Sequence, residues 1–536
     1  MVARRYGELP PPPPLGHAVP NNIHHAISVQ MPEWDDMKGL LLRTERILKV
    51  QKIGYPRSFI HPDVAEVPRN ANATAPEIVE ISLSDGNNDQ STPVPLVYAV
   101  LYDTVYLKSA LEFWRLTGTG ISSRFAENVI VGGLDISTAE ERDDNDNYND
   151  RVKGILVRRQ ADDGYSAIIR ERICHLLKRS PLRPEINALV APSDVYLYPT
   201  GMSAIYHTSQ ALNRWRNTES VVFGFLYELT PKLLQLYSDS FHFYGFGTEA
   251  EMDQLEQRLE EAEQLGRPVQ SVWCELPSNP LLHSVNLTRL RRLANKYRFA
   301  LIVDETIGSF ANLDLLPVAD VLVTSLTKAF SGNADVMGGS VVLNPSSPIY
   351  QDLKQIFSDH YVPELHPHDA AVLEYNSRQF LPRIDKMNSN AYQLVTLLSS
   401  YAAQPNSVIT KIFHPSILPS RTNYDPHLRK SSPEMVPGHG GLFTIEFESE
   451  KAASTFFNHL DLHKGPSLGA CVTLAQPYVQ TVFALEKEWA AYYGLSETIV
   501  RISVGLEDPQ ALTRAFRKAF SKANWTKLGV VVDWYD

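Results

Sequence analysis

Between Asp194 and Ser325 the chain alternates short apolar runs with amphipathic stretches, and that alternation limits its fold more than any other feature. "DVYLYP", "SVVFGF", "VQSVWCEL", "FALIVDE" and "VADVLVTS" read as strands, and several are continuously apolar, as strands buried on both faces are. Helical stretches separate them. "TGMSAIYHTSQALNRW" turns helical after small residues, Thr248 and Glu251 form a capping box for a helix ending at Gly266, and Leu287 to Tyr297 is a further helix. Strands alternating with helices predict an α/β fold with a mainly parallel sheet covered on both sides.

After about Pro348 the pattern changes. Helices at Ala370 to Phe380 and Asn390 to Ser400 precede the strand "GGLFTIEF", the helix "EKAASTFFNHL", the strand "IVRISVG" and a last helix near Leu512 to Lys522. This predicts a smaller C-terminal α/β domain. With 536 residues the chain exceeds one hydrophobic core. The expected division is an N-terminal extension over 1–110, a large domain over 111–347 with an acidic insertion near 135–155, and a small domain over 348–536. Pro10 to Pro14 read as an extended, mobile leader, and "AEERDDNDNYND" from Ala139 as a solvated insertion. That insertion lacks the glycine and terminal glutamate of a calcium loop, and no metal site is expected.

A formal charge of −11 argues against general nucleic-acid binding. No apolar run approaches a membrane span, and the first residues lack an apolar signal core. Cys174, Cys274 and Cys471 are far apart, lack metal-ligand spacing and read as small buried hydrophobes. A cytoplasmic location is the default expectation.

Ligands of a parallel α/β sheet bind beyond the carboxyl ends of its strands. Gly201 and Met202 follow the first strand, Ser278 and Asn279 the third, Asp304 and Thr306 the fourth, and Ser325, Thr327 and Lys328 the fifth. Each has an ordinary reading alone: a turn, a helix cap, a solvated lysine. Together they place a phosphate cradle, a carboxylate and an amine at one edge. Pyridoxal phosphate needs all three: a Schiff-base lysine, a carboxylate for its pyridinium nitrogen, and anion ligands. Burial of the lysine favours its neutral, nucleophilic form.

These segments resemble the Cys/Met-metabolism pyridoxal-phosphate enzymes, among them cystathionine γ-synthase, cystathionine lyases, methionine γ-lyase and O-acetylhomoserine sulfhydrylase. The matching stretches are "TGMSAI", "YELT" from Tyr227, "ELPSNPLL", "VDETI", "SLTKAFSGNADVMGG", "GGLFTIEF", "KGPSLGACVTL" and "VRISVGLED", in the family's order from Asp194 to Leu512. "GYPRSFIHP" and "FWRLTGTGISSR" look like the fungal branch of cystathionine γ-synthase.

The resemblance implies a fold-type-I transferase with pyridoxal 5'-phosphate on Lys328, which also shuttles protons. It implies that Asp304 pairs with the pyridine nitrogen, that Tyr227 stacks on the ring and serves as acid or base, and that Asn279 touches the ring hydroxyl. Gly201, Met202, Ser325 and Thr327 would hold the phosphate, with Thr306 beside Asp304. Arg501 would grip the substrate carboxylate, where a bidentate guanidinium suits the task, and Ser467 would line the same pocket. The implied activity is γ-replacement on an O-acyl-L-homoserine, with cysteine as nucleophile in a methionine-forming route. Carbon nucleophiles of secondary metabolism and γ-lyase activity are the alternatives.

Two positions depart from the family. Its Tyr-x-Arg phosphate clamp, donated by a neighbouring subunit, is not evident, and Arg124 and the Tyr55-Pro56-Arg57 triplet are the candidates. Val472 stands where many members have a glutamate, at the substrate's distal end. Active sites shared between subunits imply a homodimer or homotetramer acting on a small amino acid.

Overall fold

The computed structural model describes residue 9 and residues 11–42, 44–50, 77–83, 96–101, 107–131, 134–135 and 164–528. The acidic insertion and Tyr55 to Arg57 lie outside the described residues. Strands β1 (Glu77–Leu83), β2 (Leu96–Leu101) and β3 (Leu134–Asp135) form a small antiparallel sheet ordered β2-β1-β3.

The main sheet contains β4 (Val195–Tyr198), β5 (Glu219–Phe223), β6 (Ser240–Tyr244), β7 (Ser271–Glu275), β8 (Ala300–Asp304), β9 (Val321–Thr324) and β10 (Gly339–Leu343). Its order is β4-β10-β9-β8-β7-β5-β6. The run from β9 to β6 is parallel, while β10 is antiparallel to both neighbours. The sheet is therefore mixed. Sequence reading missed β10, which begins on the last glycine of "GNADVMGG", and the edge strand β6, which is exposed at its start.

Side chains of each central strand alternate between two cores, as the pleat requires. On β8, Leu301 and Val303 join the core under the helices Tyr165–Lys178, Glu249–Gln264 and Leu287–Tyr297. Ala300 and Ile302 face the opposite core, under Gly201–Arg216, Leu229–Tyr237 and Tyr350–His360. The predicted helix over Leu287 to Tyr297 matches residue for residue. The Thr248 hydroxyl accepts from the Glu251 amide, and Glu251 accepts in turn from the Gly247 amide.

The second sheet holds β11 (Ile409–Phe413), β12 (Leu442–Phe447), β13 (His463–Lys464), β14 (Leu474–Pro477) and β15 (Ile499–Ser503), ordered β11-β12-β15-β14-β13. The helix Phe380–Ala402 serves both bodies: Phe380, Ile384 and Met387 enter the main core, and Leu394, Val395 and Leu398 the C-terminal one. We propose that the two units divide inside this helix. On that division residues 348–379 go with the main sheet, since Leu353 and Phe357 pack there.

The N-terminal segment also belongs to the C-terminal core. Val29, Met31, Trp34, Met37 and Ile47 pack among Phe457, Tyr478 and Val479. Trp34 donates its indole N–H to Glu450 at 3.0 Å and its backbone N–H to Asn458 at 2.9 Å. The Met31 amide reaches the Lys464 carbonyl at 3.2 Å, and the Ile27 amide reaches Ala334 at 2.9 Å. The described part of the polyproline tract runs beside this core: Leu9 and Leu15, which flank it, pack on the core, Pro13 is buried, and Pro11 and Pro12 line a cavity with Ala511, Arg514 and Lys518. No helix among the described residues is long and apolar enough to cross a membrane.

Because Trp34 is nearly fully buried, Trp34→Ala should lower stability by about 3 to 5 kcal/mol, measured by guanidinium denaturation. A loss below about 1 kcal/mol would show that the segment is not part of the core.

Candidate functional site

The site forms where strand ends of the main sheet meet loops of the C-terminal sheet. β8 delivers Asp304, whose Oδ1 accepts from the Thr306 amide at 2.8 Å; the Thr306 hydroxyl in turn accepts from the Ser325 amide at 2.8 Å. This relay fixes the ends of β8 and β9 side by side. Burial lifts the Asp304 carboxyl to about 6, opposed by the Thr306 hydrogen bonds. Among the described residues no cation forms an ion pair with it.

Lys328 follows β9 and donates to the Ser467 hydroxyl at 3.2 Å. Burial first, and then the charge of Arg501, lower its amine to about 8, with Glu228 opposing. The loop carrying Ser467 approaches closely because Gly469 has no side chain. It adopts φ +74°, and an added Cβ would lie 2.4 Å from the Ala329 nitrogen.

Arg501 extends from β15. It donates to Asn279 Oδ1 at 2.9 Å, to Gln476 Oε1 and to the Ser467 carbonyl at 3.2 Å, and its guanidinium lies 4.8 Å from the centre of the Tyr478 ring. Asn279 also donates to the Tyr478 hydroxyl at 3.1 Å. Lys328, Ser467, Arg501 and Asn279 thus form one connected cluster, and Asn279 serves as a brace for the arginine.

At the opposite end of the site the helix Gly201–Arg216 begins. Thr200 caps it by accepting from the Ser203 amide at 2.9 Å, which leaves the amides of Gly201 and Met202 at the helix start available to an anion. Gly201 approaches Ser325 so closely that an added Cβ would lie 2.7 Å from the serine Cβ. Thr327 stands next to Lys328 with its hydroxyl engaged. Its hydroxyl donates to the Gly338 carbonyl and accepts from the Gly338 amide, at 3.2 and 3.1 Å, so it fastens the return loop to β10.

Three further expectations look different in the structure. Arg124, on the helix Ser123–Val131, forms a largely buried ion pair with Asp369 at 3.1 Å. Val472 packs against the cluster of Val19, Ile27, Ala334, Ala470 and Leu474. Tyr227 is positioned through its backbone, whose amide donates to Glu275 Oε1 at 2.8 Å.

Sequence reading missed Glu275, Gln476 and Tyr478. Glu275 sits opposite Asp304 across β7 and β8, and burial together with the Asp304 charge pushes its carboxyl well up. Gln476 sits opposite Arg501 across β14 and β15. Such cross-strand partners show only once register is known.

These residues fit pyridoxal phosphate. The recessed Asp304 carboxylate has no cationic partner, a helix start presents amides beside Ser325 with space only for glycine, and a depressed-pKa lysine stands between them.

Residues 172–521 match the family described as Cys/Met metabolism PLP-dependent enzyme. A cystathionine gamma-synthase-like enzyme of Amanita muscaria is 34% identical, over 96% of this chain and 97% of that protein. An alanine racemase of Aspergillus violaceofuscus is 33% identical, over 95% and 96%. The cystathionine gamma-synthase of Neurospora crassa is 30% identical, over 96% and 99%. Among solved structures, cystathionine gamma synthase from Xanthomonas oryzae pv. oryzae in complex with cystathionine is similar in fold, with TM-score 0.56 and 23% identity over 69% of this chain and 89% of that one. Together with the lysine, carboxylate and helix-start cradle at one sheet edge, these matches place the chain in the Cys/Met-metabolism family of pyridoxal-phosphate-dependent enzymes.

Proposed function

We propose that the enzyme catalyses γ-replacement on an O-acyl-L-homoserine, with cysteine as the nucleophile, giving cystathionine and the free carboxylic acid. The observation that carries this reading is the joint placement of Lys328 and Arg501. Ser467 bonds both, one through its hydroxyl and the other through its carbonyl. A substrate carboxylate on Arg501 would bring its α-carbon into the reach of the Lys328 amine.

Bound at this site, the cofactor supplies an electron sink for the substrate's α-carbon. Asp304 would keep the pyridine nitrogen protonated, a pairing that favours the carboxylate form that burial disfavours. Gly201, Met202, Ser325 and Thr327 would hold the phosphate. Arg501, braced on three oxygens beside the Tyr478 ring, fixes the carboxylate without having to reorganise. Lys328, as the free amine, would take the proton from Cα and, once that proton has been passed on, one from Cβ; the acyloxy group would leave Cγ, and the cysteine thiolate would bond there. Lys328 would return the protons. Tyr227 would cover the ring and assist as acid or base.

Carbon nucleophiles are the second reading. The observation favouring them is the apolar setting of Val472, which offers no charge at the distal end. Relatives named for cystathionine synthesis support the first reading, and one named an alanine racemase shows that the family is not confined to γ-replacement. Arg124, partnered by Asp369 within its own chain, is the residue we assign to the phosphate of a neighbouring subunit in a homo-oligomer.

O-acetylhomoserine incubated separately with cysteine, sulfide and a β-keto acid, with products identified by mass spectrometry, tests the nucleophile. Cystathionine should dominate. Its absence above the enzyme-free control, with a carbon adduct formed instead, would select the second reading.

Arg501→Ala should raise the KM for the amino acid roughly ten- to hundredfold while the visible absorbance of the bound cofactor persists. Loss of that absorbance would contradict the assigned role.

The depressed Lys328 amine gives a pH test. Below about pH 8 the lysine is protonated and not nucleophilic. Cofactor-free enzyme should therefore take up pyridoxal phosphate at a rate that rises with pH and levels above about 8. A midpoint near the ordinary lysine value of about 10.4 would show that the pocket does not depress it, and Lys328→Ala should show no such uptake step.

A further inference from the structure

Away from the cofactor site, His24, His25 and Glu127 converge where the N-terminal segment crosses the helix Ser123–Val131. His24 Nε2 lies 2.9 Å from Glu127 Oε1, and His25 Nε2 lies 3.0 Å from Glu127 Oε2. One ligand atom from each of the three residues lies within 4.8 Å of the others. It is the one such group of His, Cys, Asp and Glu side chains among the described residues.

Neighbouring side chains on an extended chain point to opposite sides. Here both rings reach the same carboxylate, with centroids 4.1 Å apart. The reason is the backbone: His25 has φ +59° and Asn22 φ +60°, the left-handed region that residues other than glycine seldom enter. Two non-glycine residues in that conformation, three positions apart, turn the pair of imidazoles toward the helix.

The second nitrogen of His25 is also engaged. Its Nδ1 lies 2.8 Å from the Ser123 hydroxyl. That contact fixes the ring and leaves Nε2 facing Glu127, as the outer hydrogen bond of a metal-bound histidine does. Tetrahedral zinc with bonds near 2.0 to 2.1 Å separates its ligands by about 3.3 Å, so the two nitrogen–oxygen spacings, each to its own Glu127 oxygen, lie within a few tenths of an ångström of that value, and all three ligand atoms fall within 4.8 Å of one another. The nearby cation, Arg124, is paired by Asp369 and is not left facing the cluster alone.

We propose that His24, His25 and Glu127 bind a divalent transition metal of the zinc class, clamping the N-terminal segment to the helix that carries Arg124. Two imidazoles select zinc, cobalt or nickel over magnesium or calcium. His24 is 77% exposed and Glu127 48%, so remaining positions are open to water and the ion exchanges with solvent. His25 is 11% exposed and anchors the site. Two residues beyond it, the Ile27 amide bonds Ala334 in the loop after Lys328. The clamp therefore ties the helix of Arg124, through the four residues His24 to Ile27, to the loop beside the cofactor lysine.

The test uses the full chain with its cofactor, free of tag histidines and stripped by a chelator, titrated with Zn²⁺ alone and with Mg²⁺ alone by calorimetry. Wild type should bind one Zn²⁺ per chain at a site that Mg²⁺ does not fill, and Zn²⁺ should raise its Tm. His24→Ala and Glu127→Gln should each weaken that binding by at least about tenfold, while the control His459→Ala should leave it unchanged. Both cluster variants alter exposed side chains on different elements, and retained cofactor absorbance checks that each is folded. Wild type binding Zn²⁺ no more tightly than Mg²⁺, or without a rise in Tm, would overturn the proposal whatever the variants do. Equal Zn²⁺ affinity in wild type and both variants would overturn it as well, leaving an ordinary histidine–glutamate ion pair.

Discussion

Four acidic side chains crowd the carboxyl edge of the main sheet, and burial makes each harder to ionise. Glu275, Asp304 and Glu305 follow one another at the ends of β7 and β8, and Glu228 caps the helix Leu229–Tyr237 nearby. Glu228 and Glu275 each keep one buried oxygen without a hydrogen-bond partner. An edge so rich in carboxyls is costly unless positive charge is brought to it. Lys328 and Arg501 supply part of that charge. Burial first, and then the charge of Arg501, make the lysine lose its proton more readily, while Glu228 opposes that loss. A cationic pyridine nitrogen paired with Asp304 would offset the remaining negative charge. The cofactor would thus complete the edge, and the lysine is prepared for chemistry by its burial and its guanidinium neighbour, against the pull of the carboxyls.

Arg501 shows how the structure orients a buried cation with neutral oxygens. It donates to an amide oxygen of Asn279, to another of Gln476 and to the Ser467 carbonyl, with the Tyr478 ring beside it. Oxygens of this kind orient a guanidinium while leaving its charge for an incoming carboxylate. A carboxylate in any of those positions would have satisfied the arginine and closed the site to an amino acid.

Much of this was legible in the sequence where signals were local. Continuous apolar runs located five main-sheet strands, and caps and helical periodicity located the helices between them. The strand β10 escaped because it is a short run that starts directly on the last glycine of a loop-like motif, and β6 because an edge strand is only half covered. Asp304, Lys328 and Arg501 stood out as residue types at strand ends, and the family resemblance gave them roles. Glu275 and Gln476 acquire theirs from register, across β7–β8 and β14–β15, which no local pattern encodes. The polyproline tract illustrates a related point: its composition suggests solvent, while Leu9 and Leu15 on either side pack on the C-terminal core.

The N-terminal segment changes how substrate choice should be understood in this chain. Val472 occupies the position assigned by resemblance to the distal end of the substrate, and its neighbours Val19 and Ile27 come from that segment rather than from either sheet. The Ile27 amide also bonds the Ala334 carbonyl, and the Cys471 amide bonds the Gly332 carbonyl, so segment, return loop and Val472 loop are laced together beside Lys328. On the proposed reading, the catalytic residues are supplied by the two sheets rather than by the N-terminal chain. The wall nearest the incoming nucleophile is partly built by it. A family with one catalytic centre can then change nucleophile by altering an added segment, without disturbing the buried charges that activate the lysine.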